Sequence, residues 1–194
     1  MTVRASSAKE RILTTANKLF YAEGIRAVSL DVIAEKAGIT KKTVYYHFKS
    51  KDDLIEAYLA SRDQPNLTQF RKWFEAADGG LPEKVEAIFQ NIAKAARHPK
   101  WKGCGFLRTA AELANMPGHP AMTVGAAHKK KFEDWMAAEF EVAGLDRPEA
   151  LARHMVLLLD GTFSTILVHR DAAYADAAGE AAKALVAGAM GRAG

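Results

Sequence analysis

"SLDVIAEKAGITKKTVYYHFKSK", residues 29–51, is the stretch on which the reading of this chain turns. Ser29 stands where a helix N-cap belongs, and Leu30, Ile33, Ala34 and Ala37 follow as an apolar stripe at helical period. Gly38 ends the stripe, because glycine accepts the left-handed backbone that a helix stop requires. Thr40 can cap the next segment, in which Val44 and Phe48 recur one turn apart. Only Gly38 and Ile39 separate one helix from the cap of the other. The spacing predicts a short helix, a tight turn and a second short helix.

The flanks supply the rest of a small module. Upstream, Ser7-Ala8-Lys9-Glu10 has capping-box spacing, and Ile12, Leu13, Ala16, Leu19 and Phe20 share one helical face before Gly24. Downstream, a fourth helix opens at Ser50 or Lys51, with Leu54, Ile55, Tyr58 and Leu59 as its apolar positions. Past Asp63, "QPN" breaks the pattern, and further helices are predicted over 66–77, 82–98, 105–115, 119–143, 148–170 and 173–190. No alternating strand pattern persists. The expected fold is all-α: an N-terminal three-helix module with a helix-turn-helix over 1–50, and a larger C-terminal helical domain over 51–194.

Composition narrows the classes. A chain of 194 residues with 49% hydrophobic residues suits one medium domain, or a small module joined to a larger one. Apolar runs such as "MVLLLDG" are too short to span a bilayer, and "MTVRASSAKERI" does not read as a signal peptide, so no membrane partner is expected. A single cysteine, Cys104, allows no internal disulfide, and no metal-ligand or cofactor motif stands out, which points to a reducing cytoplasm. Cys104 itself reads as a small buried apolar group.

Net charge is +4, but its distribution matters more. Residues 1–63 hold eleven Lys+Arg against eight Asp+Glu, whereas the remainder holds sixteen against fifteen. From Lys36 to Lys51 there are five lysines and no acid. A local, acid-free basic stretch is an electrostatic footprint for a polyanion, unlike an ordinary surface helix with interleaved signs. A helix entering the major groove of duplex DNA reads bases from its N-terminal turn, where Lys41, Lys42, Thr43 and Tyr46 face outward. Lysine can donate to guanine O6 or N7, and a threonine methyl can touch the thymine methyl. Tyr45, His47 and Lys51 stand where donors meet phosphates on either side.

These residues also carry a resemblance. Ser29, Ile33-Ala34, Ala37-Gly38-Ile39-Thr40, Tyr45, His47-Phe48 and Ser50-Lys51 with Leu54 are similar, over roughly residues 8–60, to the DNA-binding signature of the TetR/AcrR family of bacterial transcriptional regulators. The resemblance implies phosphate contacts from Ser29, Tyr45, His47 and Lys51, and a groove-facing set of Thr40, Lys41, Lys42, Thr43 and Tyr46. Asp31 departs from it, standing where some members offer a basic residue; an acid there suits the first turn of a helix. Implied function is a homodimeric repressor on a palindromic operator, cytoplasmic and at the nucleoid when bound.

The C-terminal part is expected to hold a small, largely apolar effector in a cavity between short helices. Trp101, Phe106, Trp135 and Phe163 are candidate walls, with Arg108, Glu112, Asn115 and His119 as polar anchors. Arg108 and Glu112, four apart, could equally pair on a helix surface. A dimer seam is expected from Leu151, Met155, Leu158, Leu159, Thr162, Phe163 and Ile166, and from Ala181, Leu185 and Gly188 on the small-residue final helix. An architectural DNA-binding factor without an effector is the alternative. No catalytic motif is present, so an enzyme is not expected.

Overall fold

The structure, a computed structural model, describes residues 6–193. The absence of a leader was read partly from residues 1–5, which lie outside the described residues. Nine helices and no strand occur among the described residues: α1 (Ala8–Glu23), α2 (Leu30–Ala37), α3 (Lys41–His47), α4 (Lys51–Glu75), α5 (Leu81–Ala96), α6 (Gly105–Glu112), α7 (Pro120–Val142), α8 (Pro148–His169) and α9 (Ala173–Ala193). The all-α expectation holds.

Two compact units emerge. One comprises the described residues up to Arg62 together with 105–125; the other comprises 63–104 and 126–193. The division expected after residue 50 is thus drawn elsewhere: the first turns of α4 and the whole of α6 group with the first unit. Sequence order concealed this, because α6 is more than forty residues away from α4's start but bonds back to the α1–α2 connection.

In the first unit, the local signals act as their chemistry suggests. Ser7 Oγ accepts from Glu10 N–H at 3.2 Å while Glu10 Oε2 accepts from Ser7 N–H at 2.8 Å, closing the capping box on α1. Ser29 Oγ accepts from Val32 N–H and Thr40 Oγ1 from Thr43 N–H, each at 3.2 Å. Gly38 sits at φ 63°, ψ 43°, and its N–H donates to the last carbonyls of α2. Arg11 of α1 then donates to the carbonyls of Ala37 and Gly38, locking the turn to the first helix. Ile12, Phe20, Ile33, Val44, Leu54 and Tyr58 are buried behind it, with Phe20 and Tyr58 edge to face at 5.5 Å.

Helix α4 corrects one expectation. It continues through Pro65 to Glu75 instead of breaking at "QPN". An internal proline removes one backbone hydrogen bond and strains the preceding turn. Burial of Leu67, Phe70 and Phe74 on the same helix offsets that cost.

In the second unit, Phe70, Phe132, Trp135 and Phe74 form a chain of ring contacts between 5.4 and 5.8 Å. Helix α9 packs against both α5 and α8. Close approach to α5 depends on Gly179, where a Cβ would lie 3.1 Å from the Phe89 Cβ. Helix α8, 22 residues with mean hydropathy 1.4 over its most apolar window, is long and apolar enough to cross a membrane by length and composition. Its hydropathy accumulates along the whole helix beyond the short apolar run, as in the core helix of a packed domain. Its inward row, Leu151, Met155, Leu159, Phe163 and Ile166, is packed in the unit's core.

Candidate nucleic-acid interface

Helix α3 buries Val44, its C-cap Phe48 is buried as well, and Thr43 and His47 are half-buried. Val44 and Phe48 are packed inward, anchoring the helix from behind. Lys41, Lys42 and Tyr45 are exposed, and Tyr46 is 84% exposed, which no packing argument explains for an aromatic ring. Tyr46 meets the half-buried His47 edge to face at 5.0 Å. The structure therefore brings Lys41, Lys42, Thr43, Tyr45 and Tyr46 onto one short helix whose outer side carries cations, hydroxyls and rings.

The flanking residues are more constrained. The Ser29 and Thr40 oxygens are used as helix caps, but a hydroxyl that accepts from the backbone still has its own proton to give. Thr40 and Thr43 share one such bond at 2.9 Å. Lys51, half-buried at the start of α4, has its ammonium pushed below the ordinary lysine value by burial, while the charges of Glu112 and Asp52 pull it back. Ser50 Oγ accepts from Asp53 N–H at 3.0 Å, and Asp53 Oδ2 accepts from Lys49 N–H at 3.1 Å, fixing this entry to α4. Lys41 is not free-standing: its Nζ lies 2.9 Å from both carboxylate oxygens of Asp31. This pairing is invisible in the chain order, because it depends on how α2 and α3 cross.

Residues expected to line an effector cavity fall in both units. Phe106, Arg108, Glu112 and His119 belong to the first. Arg108 Nη1 donates to the Tyr21 carbonyl at 2.7 Å. Glu112 accepts from the N–H groups of Ile25 and Arg26, at 3.2 and 2.9 Å, and Arg26 Nη2 donates to Asn115 Oδ1 at 2.9 Å. Arg108 and Glu112 therefore do not pair along their own helix; they tie α6 to the end of α1. His119 is buried, with Nδ1 accepting from Ala121 N–H at 3.1 Å, so it caps α7. Its Nε2 is 3.2 Å from Asp52 Oδ1 but poorly directed, and makes no hydrogen bond. In the second unit, Trp101 stacks on Phe163 at 6.2 Å. Trp135 lines a separate cavity of about 570 Å³ with Gln64, Thr68, Arg71, Lys131 and Asp134. Cys104 is buried, its Sγ 3.9 Å from Lys129 Nζ.

The expected seam on α8 and α9 needs correction. Leu151, Met155, Leu159, Thr162, Phe163 and Ile166 are buried within their own unit and are not open to a partner. Leu158, Ala181, Leu185 and Gly188 remain at the surface. Beside them stand residues the sequence reading passed over: Leu157 at 69% and Val168 at 76% exposure, with Gly161 and Tyr174. Helix α8 carries apolar residues on two sides, and periodicity alone selected the inner one.

Residues 12–58 match the family described as bacterial regulatory proteins, tetR family. The chain is 35% identical over 98 residues to the HTH-type transcriptional regulator SrpR of Pseudomonas putida; this covers 50% of the chain and 44% of SrpR, less than half of that relative's length. To the HTH-type transcriptional regulator YjdC of Escherichia coli it is 24% identical over 170 residues, 88% of each. A crystal structure of a TetR-family transcriptional regulator from Streptomyces coelicolor superposes with TM-score 0.77 at 32% identity, covering 96% of this chain and 95% of that one.

Proposed function

The chain belongs to the TetR family of bacterial transcriptional regulators and is a DNA-binding protein, and on that premise we propose that it acts as a homodimeric, effector-released repressor. The observation that carries the reading is the outer side of α3: exposed Lys41, Lys42, Tyr45 and Tyr46 set on a helix anchored by buried Val44 and Phe48. In this reading α3 enters the major groove, Thr40, Lys41, Lys42, Thr43 and Tyr46 face base edges, and Ser29, Tyr45, His47 and Lys51 hold phosphates. The operator is palindromic, and the protein works in the cytoplasm, at the nucleoid when bound.

The exposed apolar row of Leu157, Gly161, Val168, Tyr174, Ala181 and Leu185 supports self-association, since scattered surface leucines are ordinary but a row of exposed apolar residues on two adjoining helices is not. A cavity of about 570 Å³, in which Leu67, Trp135 and Ala138 stand among charged and polar side chains, gives room for a small-molecule effector. Such an effector acts by its differential affinity for two conformations, and a coupling of about 1–3 kcal/mol weakens operator binding roughly 5- to 150-fold.

Selection of duplexes from a random pool by the purified protein tests the reading directly. Enrichment of an inverted repeat supports it, and absence of enrichment overturns it. On the selected duplex, Lys42→Ala is expected to lose about 1–3 kcal/mol of discrimination at particular base positions. Lys51→Ala is expected to weaken binding to all sequences and lower the salt slope by about one unit. Leu157→Glu is expected to shift the sedimenting species from dimer to monomer; a wild-type protein that sediments as a monomer removes the dimer from the proposal.

A further inference from the structure

The surface that carries α3 also carries an acid. Asp31 lies in the first turn of α2 and is well exposed, and its two carboxylate oxygens each stand 2.9 Å from Lys41 Nζ. Ser29 already caps that helix, so the Asp31 carboxylate is not needed there as a hydrogen-bond acceptor. Exposed ion pairs contribute little to stability. Among the described residues, Lys42, Lys49 and Lys51 form no ion pair, so within this basic stretch Lys41 alone is held by a carboxylate. A feature that weakens the footprint for a polyanion and adds little to folding calls for a role in recognition.

We propose that Asp31 is a specificity-determining residue that acts through Lys41, withholding it from phosphates so that only a duplex offering paired base acceptors gains its contact. In sequence-independent binding, each lysine that meets a phosphate releases a counterion, whichever sequence is present. Lys41 held by Asp31 brings no net charge to such an encounter, and the carboxylate repels the backbone. Guanine O6 and N7 are neutral acceptors that Lys41 can meet while Asp31 stays beside it, whereas a phosphate that approaches the same ammonium is repelled by the Asp31 carboxylate. The pair is thus directed against wrong sequences more than towards the right one.

This rests on the DNA-binding reading of α3, and the test separates the two. Binding of wild type, Asp31→Asn, Lys41→Ala and the double variant is titrated against salt on two probes: a mixed-sequence duplex and the best duplex selected from a random pool. If wild type binds neither probe, the reading of α3 falls and this inference with it. With wild-type binding in hand, Asp31→Asn is expected to tighten mixed-sequence binding and steepen its salt slope by about one unit, an extra loss of roughly 3.5-fold for a fourfold rise in salt. The selected duplex gains less, so the ratio between probes drops several-fold, and the double variant returns to the Lys41→Ala slope. An unchanged slope and ratio, or equal weakening on both probes, overturns the inference. So does weakening confined to the selected duplex, which would make Asp31 a direct reader of the base. A purely structural part for Asp31 would move the melting temperature and leave the salt slope alone.

Discussion

Asp63→Ala is expected to lower the unfolding free energy by about 3 kcal/mol, and to alter how stability depends on pH. Asp63 is buried in the second unit, where Oδ1 lies 2.8 Å from His128 Nδ1 and Oδ2 bonds to Lys131. Burial pushes this carboxyl upward, but the hydrogen bonds and charges of Lys131 and His128 outweigh it, leaving it below the ordinary carboxylate value. An ionised Asp63 can only accept, so His128 presents Nδ1–H to it. Removing one partner of a buried pair typically costs about 3–5 kcal/mol; the half-exposed Lys131 can turn to water, which places this case at the low end.

Burial, helped by the charges of Lys129 and Lys131, pushes His128 below its ordinary value of 6.5, while the bond and charge of Asp63 pull the other way. The unfolded chain therefore binds a proton at His128 before the folded one does. That stability is fully present above about pH 6.5 and is lost as pH falls towards the folded value. Asp63 adds a second loss below its ordinary 3.8, ending at its lower folded value. Urea unfolding across this range measures both, and His128→Gln should flatten the upper part. A Asp63→Ala protein that unfolds within about 1 kcal/mol of wild type would refute the pairing as a stabilising contact.

Glu112→Leu should have a comparable effect in the first unit, about 2–4 kcal/mol, with loss of DNA affinity alongside. The carboxylate accepts from Ile25 and Arg26 N–H, and Ile25 is buried, so leucine leaves at least one donor with no acceptor and little access to water. Gly24, at φ 93°, gives the carboxylate room: a Cβ there would stand 3.0 Å from Glu112 Oε1. Because this connection leads directly into Ser29 and α2, loosening it disturbs the platform on which α3 sits. Hydrogen exchange at the Ile25 and Arg26 amides reads the first consequence, and duplex titration reads the second. Protection left intact at both amides would show that Glu112 is not their acceptor in solution.

The helix-turn-helix was legible in the chain because its determinants are local. Ser29, Gly38, Thr40 and Ser50 each act on backbone within a few residues, and the apolar stripes around them need only helical period to be seen. Glu112 shows the opposite case. Its neighbour Arg108, one turn away, offered an obvious salt bridge, yet each side chain reaches across 86 or 87 positions to backbone groups near the end of α1. Similarly, Pro65 is a sound local reason to end a helix, and buried side chains on both of its flanks overrode it.

By itself, then, the sequence determined that this is an all-helical chain with a DNA-reading module near its N-terminus, because capping, turn chemistry and charge spacing are short-range and hold in any context. Only the tertiary structure decided which side of α8 faces inward, that α6 braces the first unit, and that Lys41 is held by Asp31. Those outcomes depend on which surfaces meet. A helical stripe states that a face is apolar, but burial is a property of two faces, and one chain order is compatible with many pairings.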